Sequence, residues 1–154
     1  MSRIETRLRE LGIILPPPMA PVANYVPFVI TGDLVVISGQ IPVRDGKAAY
    51  TGKLGEDVSM EIGQQAAQLC FINVLAQLKE ACGGDLDRVR QVVRLGGYIA
   101  ALPSFTEHAV VMNGASDMSV AVFDDAGRHA RTTVGVPSLP RNVPVEVEAM
   151  VRIA

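Results

Sequence analysis

Hydrophobic residues change their spacing several times along the chain, and each change predicts an element. Residues 25–30 and 34–38 are rich in β-forming side chains, and the turn Thr31-Gly32-Asp33 between them predicts a hairpin. Residues 58–82 then carry apolar side chains at helical spacing, which predicts a long helix buried on one side and ended by Gly83-Gly84. The first half therefore predicts two strands followed by one long helix.

In the second half of the chain, apolar and polar residues first alternate, as in a strand, and then follow helical spacing. Residues 89–101 predict a strand with Val93 on the same face as Leu95, and Val92 on the other. The pair Gly96-Gly97 within it is typical of a bulge or a close approach of the backbone.

A second helix is predicted to follow this strand. The capping box Ser104-Phe105-Thr106-Glu107 is expected to open it, Asn113-Gly114 to break it, and Ser116-Asp117 to restart it to about Asp124. Two alternating segments, which end at Val136 and begin at Val145, then predict two further strands.

The order β-β-α-β-α-β-β favours an α+β fold, a mixed sheet with two main helices on one face. The apolar residues left on its other face predict contact with another subunit. A capping box at Ser2 predicts a short N-terminal helix, and Pro16-Pro17-Pro18 follows it. We expect one domain over residues 1–154, with residues 1–19 as an appendage.

Composition narrows the functional classes. About half of the residues are hydrophobic and the net charge is −2, without a basic stripe, which argues against nucleic-acid binding. No apolar run reaches the ~20 residues that span a bilayer, and no signal peptide is evident, so we expect a cytoplasmic protein. Cys70 and Cys82 fall in the long helical pattern and are expected to be buried thiols.

Candidate chemistry is concentrated near the C-terminus. A loop delivers Arg128, His129 and Arg131 within four residues, and Glu146 follows fifteen positions after Arg131. A guanidinium can bind a carboxylate in a bidentate fork, and a glutamate can orient a water. If the two strands pair or neighbour each other, both groups can share one pocket. The alternatives are a salt bridge for Arg131 and a solvated strand face for Glu146.

Several short segments together resemble one known family, the YjgF/RidA family, from about residue 20 to the C-terminus. None is diagnostic alone, but their order and spacing are specific. The segments are Asn24-Tyr25, Ser38-Gly39-Gln40-Ile41-Pro42, Gln64-Gln65, Asn73-Val74-Leu75, Gly83, residues 89–98, Ala130-Arg131-Thr132, Leu139-Pro140 and Val145-Glu146-Val147-Glu148-Ala149.

The resemblance implies a chorismate-mutase-like fold and a homotrimer whose clefts between subunits bind a small carboxylate. It implies hydrolysis of reactive 2-imino or enamine acids to 2-oxo acids and ammonia, without a metal or organic cofactor. Arg131 matches the arginine that grips the carboxylate, and Glu146 matches the acid that positions a water. Tyr25 and Ser38-Gly39 match other elements of the cleft.

Two other functions stay open from the sequence. One is a trimer that binds a small carboxylate without turning it over. The other is a ribonuclease or translation inhibitor, a label often given to this family, and the acidic balance disfavours it.

His129 departs from the family pattern, which has a proline two places before the arginine. Side chains in a strand alternate with period two, so His129 and Arg131 are predicted to lie on the same side. His129 could then contact the same ligand and favour a dicarboxylic imino acid. The alternative is a hydrogen bond from His129 to backbone or solvent.

Overall fold

A five-stranded mixed sheet organises the chain in the computed structural model, which describes residues 1–21 and 23–154. The sheet has the strand order β1-β2-β7-β5-β6, and a separate two-stranded hairpin pairs β3 with β4. The elements are α1 (Arg3–Glu10), β1 (Phe28–Thr31), β2 (Leu34–Gln40), β3 (Val43–Arg44), β4 (Lys47–Ala48), α2 (Met60–Ala81), β5 (Val89–Ala100), α3 (His108–Phe123), β6 (Ala130–Val136) and β7 (Val145–Ile153).

The strand pairing confirms the predicted mixed sheet. Strands β5 and β6 are parallel, whereas β1-β2, β2-β7 and β7-β5 are antiparallel. Gly32 adopts a positive φ of 60° in the predicted turn between β1 and β2, a conformation that glycine tolerates. Strand β5 lies between β6 and β7, so the two strands that carry Arg131 and Glu146 are not neighbours.

Helices α2 and α3 cover one face of this sheet, as predicted. The Ser59 hydroxyl accepts a hydrogen bond from the Ile62 N–H at 3.2 Å and begins α2. Phe71 and Leu75 of α2 are at most 1 % exposed and pack in one core with Ile99 of β5. In the part of the chain that the structure describes, no helix is long and apolar enough to cross a bilayer.

The predicted break in α3 at Asn113-Gly114 is wrong, because the helix runs without interruption. A Cβ at Gly114 would overlap the Gln64 carbonyl of α2, so glycine is the residue that lets the two helix backbones approach closely. The predicted capping box is also wrong. The chain turns at Leu102, whose carbonyl accepts from the Phe105 N–H, and α3 begins only at His108 without a side-chain cap.

The predicted faces of β5 are wrong in its first half. Irregular pairing with β7 occurs between Val89 and Gln91 and again between Val92 and Arg94, and each shift changes which face the next side chain occupies. Val92 therefore lies in the core, while Val93 is 39 % exposed. Alternation in the sequence does not reveal such a shift.

The N-terminal helix α1 packs on the main core. Ser2 caps it by accepting from the Glu5 N–H at 3.2 Å, as its capping box predicted. The Asp87 carboxylate accepts 2.8 Å hydrogen bonds from two further N–H groups of its first turn, and Ile4 is fully buried. The appendage is therefore anchored by both polar and apolar contacts.

The other face of the sheet carries apolar side chains without covering helices, and we call it the open face. Val29, Val36 and Met150 pair across β1, β2 and β7 and lie opposite to the buried positions of those strands. Val29 is 53 % exposed and Val134 of β6 is 44 % exposed. Exposed apolar surface of this kind is typical of an interaction surface.

Candidate active site

A pocket of about 190 Å³ lies beside β2 and β7. Tyr25, Ser38, Gly39 and Glu146 line this pocket, which we call the Glu146 pocket. They are four of the six residues that the sequence placed in a substrate site. The structure therefore brings them together within one chain.

Gly39 makes room for the acid of the pocket. A Cβ at this position would overlap the Glu146 carboxylate, so the carboxylate lies directly against the Gly39 backbone. The pairing of β2 with β7 is irregular between Ile37 and Gln40, so Gly39 lies where the regular ladder is interrupted. The Ser38 hydroxyl donates to the Val26 carbonyl at 2.8 Å, so its proton is engaged with the backbone of the pocket wall.

The electrostatics of Glu146 favour a proton-accepting role. Burial raises its pKa, and the nearby Glu148 carboxylate raises it further. Glu148 accepts hydrogen bonds from the Tyr98 hydroxyl at 2.8 Å and from Arg94 Nη1 at 3.3 Å. In contrast, the carboxylate of Glu146 makes no hydrogen bond to any described residue. It is therefore the member of the pair that can bind a water.

Arg131 lies away from the Glu146 pocket. Its Nη1 donates to Asn113 Oδ1 at 2.8 Å and to Ser116 Oγ at 3.1 Å, both on α3. It pairs in register with Leu95, a core position, and is therefore on the helix-covered face, opposite to Glu146. The condition for a shared pocket within one chain, that the two strands neighbour each other, is not met, because β5 separates them and the two side chains point to opposite faces.

His129 lies on the same side as Arg131, as its spacing predicted. Its two ring nitrogens are 2.8 Å from Ser116 Oγ and 2.7 Å from the Gly127 carbonyl oxygen. The carbonyl can only accept, so Nδ1 carries a proton and donates to it. His129 thus makes the backbone contact of the alternative reading, and it does not face a ligand in the Glu146 pocket of its own chain.

Sequence reasoning missed part of the pocket wall. Arg141 and the segment 19–21 also line the pocket, and Gln77 of α2 donates to the Met19 carbonyl at 2.8 Å. Arg141 stands directly after the Leu139-Pro140 segment of the family pattern and five residues before Glu146. This place in the sequence, between two segments of the family pattern, is the signal by which Arg141 could have been found. The role of the N-terminal segment depends on a long-range contact that no local pattern reveals.

The cysteines are core residues, as predicted. Cys70 is fully buried and donates to the Val145 carbonyl at 3.4 Å, and burial raises the pKa of its thiol. Cys82 is 2 % exposed. Among residues 1–21 and 23–154, no group of three or more His, Cys, Asp or Glu side chains is placed to hold a metal ion.

These features define an α+β protein with a small pocket beside the open face of its sheet. A sequence model of the family described as YjgF/chorismate mutase-like, putative endoribonuclease, matches residues 5–151. The chain therefore belongs to the YjgF/RidA family, which confirms the resemblance.

Its relatives carry different names. The chain is 45 % identical to protein TCP17 of Trypanosoma cruzi over 99 % of this chain and 95 % of the relative. It is 32 % identical to 2-iminobutanoate/2-iminopropanoate deaminase of Salmonella typhimurium, over 85 % of this chain and 88 % of that enzyme. The crystal structure of protein Atu1372 from Agrobacterium tumefaciens, described as of unknown function, superposes with a TM-score of 0.92 at 49 % identity, covering 98 % and 92 % of the two chains.

Proposed function

We propose that this protein hydrolyses reactive 2-imino or enamine acids to 2-oxo acids and ammonia. One observation carries the proposal: a glutamate with a raised pKa and no hydrogen bond to a described residue lines a small pocket, against the backbone of Gly39. The relative from Salmonella, which is named a 2-iminobutanoate/2-iminopropanoate deaminase, supports the reaction class.

The reaction requires one carboxylate that binds a water and transfers protons. Glu146 binds a water and takes one of its protons as the oxygen attacks the C=N carbon of the iminium group. The same carboxylic acid returns the proton to the nitrogen of the tetrahedral intermediate. As the C–N bond breaks, the Glu146 carboxylate accepts the remaining hydroxyl proton and the C=O bond of the 2-oxo acid forms. The departing ammonia takes up that proton as ammonium, which restores the carboxylate. A raised pKa suits a group that must both accept and return a proton near neutral pH.

Arg131 contributes to this reaction only if another subunit presents it. Because it lies on the face of the sheet opposite to Glu146, a ligand that touches both must draw them from two chains. We therefore propose a homotrimer in which the open faces pack together and the edge strand β6 of one subunit borders the Glu146 pocket of the next. Sedimentation of a stable monomer at micromolar concentration would contradict this assembly.

Ammonia release from 2-iminobutanoate, generated in place by an amino-acid oxidase, tests the reaction directly. We expect the protein to accelerate formation of the 2-oxo acid over the spontaneous rate, and the Glu146→Gln variant to lose this effect. The family description also names an endoribonuclease, so the same preparation should be incubated with single-stranded RNA. RNA cleavage that Glu146→Gln abolishes, without imine turnover, would replace the proposal.

A further inference from the structure

Arg141 is the cation of the Glu146 pocket within a single chain. Among the described residues that line the pocket, no other lysine or arginine occurs. Arg131, which matches the family's carboxylate-gripping arginine, is on the opposite face of the sheet and bonds to α3. Within one chain, a ligand in the Glu146 pocket therefore has Arg141 as its available cation.

The backbone holds Arg141 in an unusual conformation. Arg141 and Asn142 both have a φ of 58°, in the left-handed region that costs a residue other than glycine about 1 kcal/mol or more. The turn is fixed from outside, because the Asn142 carbonyl accepts from the Gly52 N–H at 2.8 Å. Strained backbone that its surroundings enforce is concentrated at functional sites, where it places a particular side chain.

The guanidinium is oriented but not neutralised. Its Nη2 donates to the Gly46 carbonyl at 2.8 Å, which fixes the side chain across the β3-β4 turn. In the described part of the chain, no carboxylate lies within salt-bridge distance of Arg141. The remaining N–H groups can therefore bind an anion, and their planar fork matches a carboxylate.

We propose that Arg141 binds the carboxylate of the substrate from the same chain that supplies Glu146, and this rests on the proposed deamination. The other walls of the pocket are mostly apolar, with Met19, Pro21 and Ile41 among them. Arg141 and this wall together select a monocarboxylic 2-imino acid with an apolar side chain. In the proposed trimer, Arg131 of a neighbouring subunit adds a second contact to the same carboxylate.

The test compares the binding of 2-oxobutanoate with that of its neutral analogue 2-oxobutanamide. Wild type should bind the acid more tightly, and Arg141→Gln should reduce this preference by roughly 10- to 100-fold, the usual strength of a hydrogen bond to a charged group. Arg90→Gln is the matched control. Arg90 is also exposed and donates to a backbone carbonyl, but that carbonyl belongs to Asp87, away from the pocket.

A purely structural Arg141 would weaken both ligands equally and leave the preference intact, which would overturn the proposal. If Arg141→Gln does not fold, Arg141→Lys keeps the charge, and its loss of the fork should still lower the preference. An unchanged preference in Arg141→Lys would then overturn it. The readout does not require turnover, so a protein that hydrolyses no imino acid but loses acid preference in Arg141→Gln refutes the deaminase function and supports the carboxylate site.

Discussion

The two faces of the sheet carry two polar clusters that differ in what their side chains have left to bind. On the helix-covered face, Arg131 and His129 share the Ser116 hydroxyl and have their remaining contacts on α3 or the backbone. On the open face, Glu148 is bound by Tyr98 and Arg94, while Glu146 keeps a raised pKa and no described partner. Family motifs name one residue from each face, which is the basis for our proposal that the site is shared between two chains.

The largest expected effect is on activity, at the open face. Glu146→Gln should lower kcat by roughly 10²- to 10⁴-fold, because the amide cannot accept the proton of the attacking water. Binding of 2-oxobutanoate should remain, since the amide has the shape of the carboxylate. Glu56→Gln, at an exposed position outside the pocket, should behave as wild type. If Glu146→Gln retains its kcat, Glu146 does not act in the reaction.

The next effect is on stability, at the helix-covered face. Gly114→Ala should destabilise the fold by about 1–3 kcal/mol, since its Cβ would overlap the Gln64 backbone and the two helices must move apart. Gly63→Ala is the matched control. Its Cβ would lie 3.1 Å from side-chain atoms of Leu54 and Val111, which can shift, and both variants gain the same helix propensity. Denaturant unfolding measures the two changes, and equal losses would contradict the close contact of α2 with α3.

The sequence predicted the elements that are determined by residues close together in the chain, and it failed where a distant contact determines the structure. The α2 helix and the β1-β2 hairpin follow from periodicity and turn residues, because both are decided within a few positions. Gly114 looks like a break in the sequence and proves to be a helix contact, since its partner Gln64 is fifty residues away. The irregular pairing in β5 reverses Val92 and Val93 for the same reason, as it is set by the neighbouring strand.

For the candidate site, the sequence predicted part of the pocket lining but not the arrangement of the strands that carry the other residues. Tyr25, Ser38, Gly39 and Glu146 meet in one pocket, yet Arg131 does not join them. The sequence shows which side chains of one strand share a face, because they alternate, but it does not show the order of the strands in the sheet. The insertion of β5 between β6 and β7 is what separates the arginine from the glutamate.

The smallest expected effect is a shift in the pH profile. Glu146 acts as the carboxylate, so kcat/KM should rise with pH through its raised pKa and fall below it. Glu148→Gln removes the second cause of that raised pKa and should therefore move the acidic limb of the pH profile to lower pH. Glu10→Gln, on the exposed side of α1, should leave the limb in place. A limb that Glu148→Gln moves to higher pH would contradict the electrostatic account.

The most direct test of a site shared between faces is complementation of two inactive variants. Arg131→Gln and Glu146→Gln, co-expressed and purified as mixed trimers, place an intact Arg131 of one chain beside an intact Glu146 of another in a fraction of the clefts. We predict that each variant alone has little imine deaminase activity and that the mixed trimers recover a measurable part of the wild-type rate. Mixed trimers no more active than the two separate variants, under conditions where wild type turns over, would contradict the central claim.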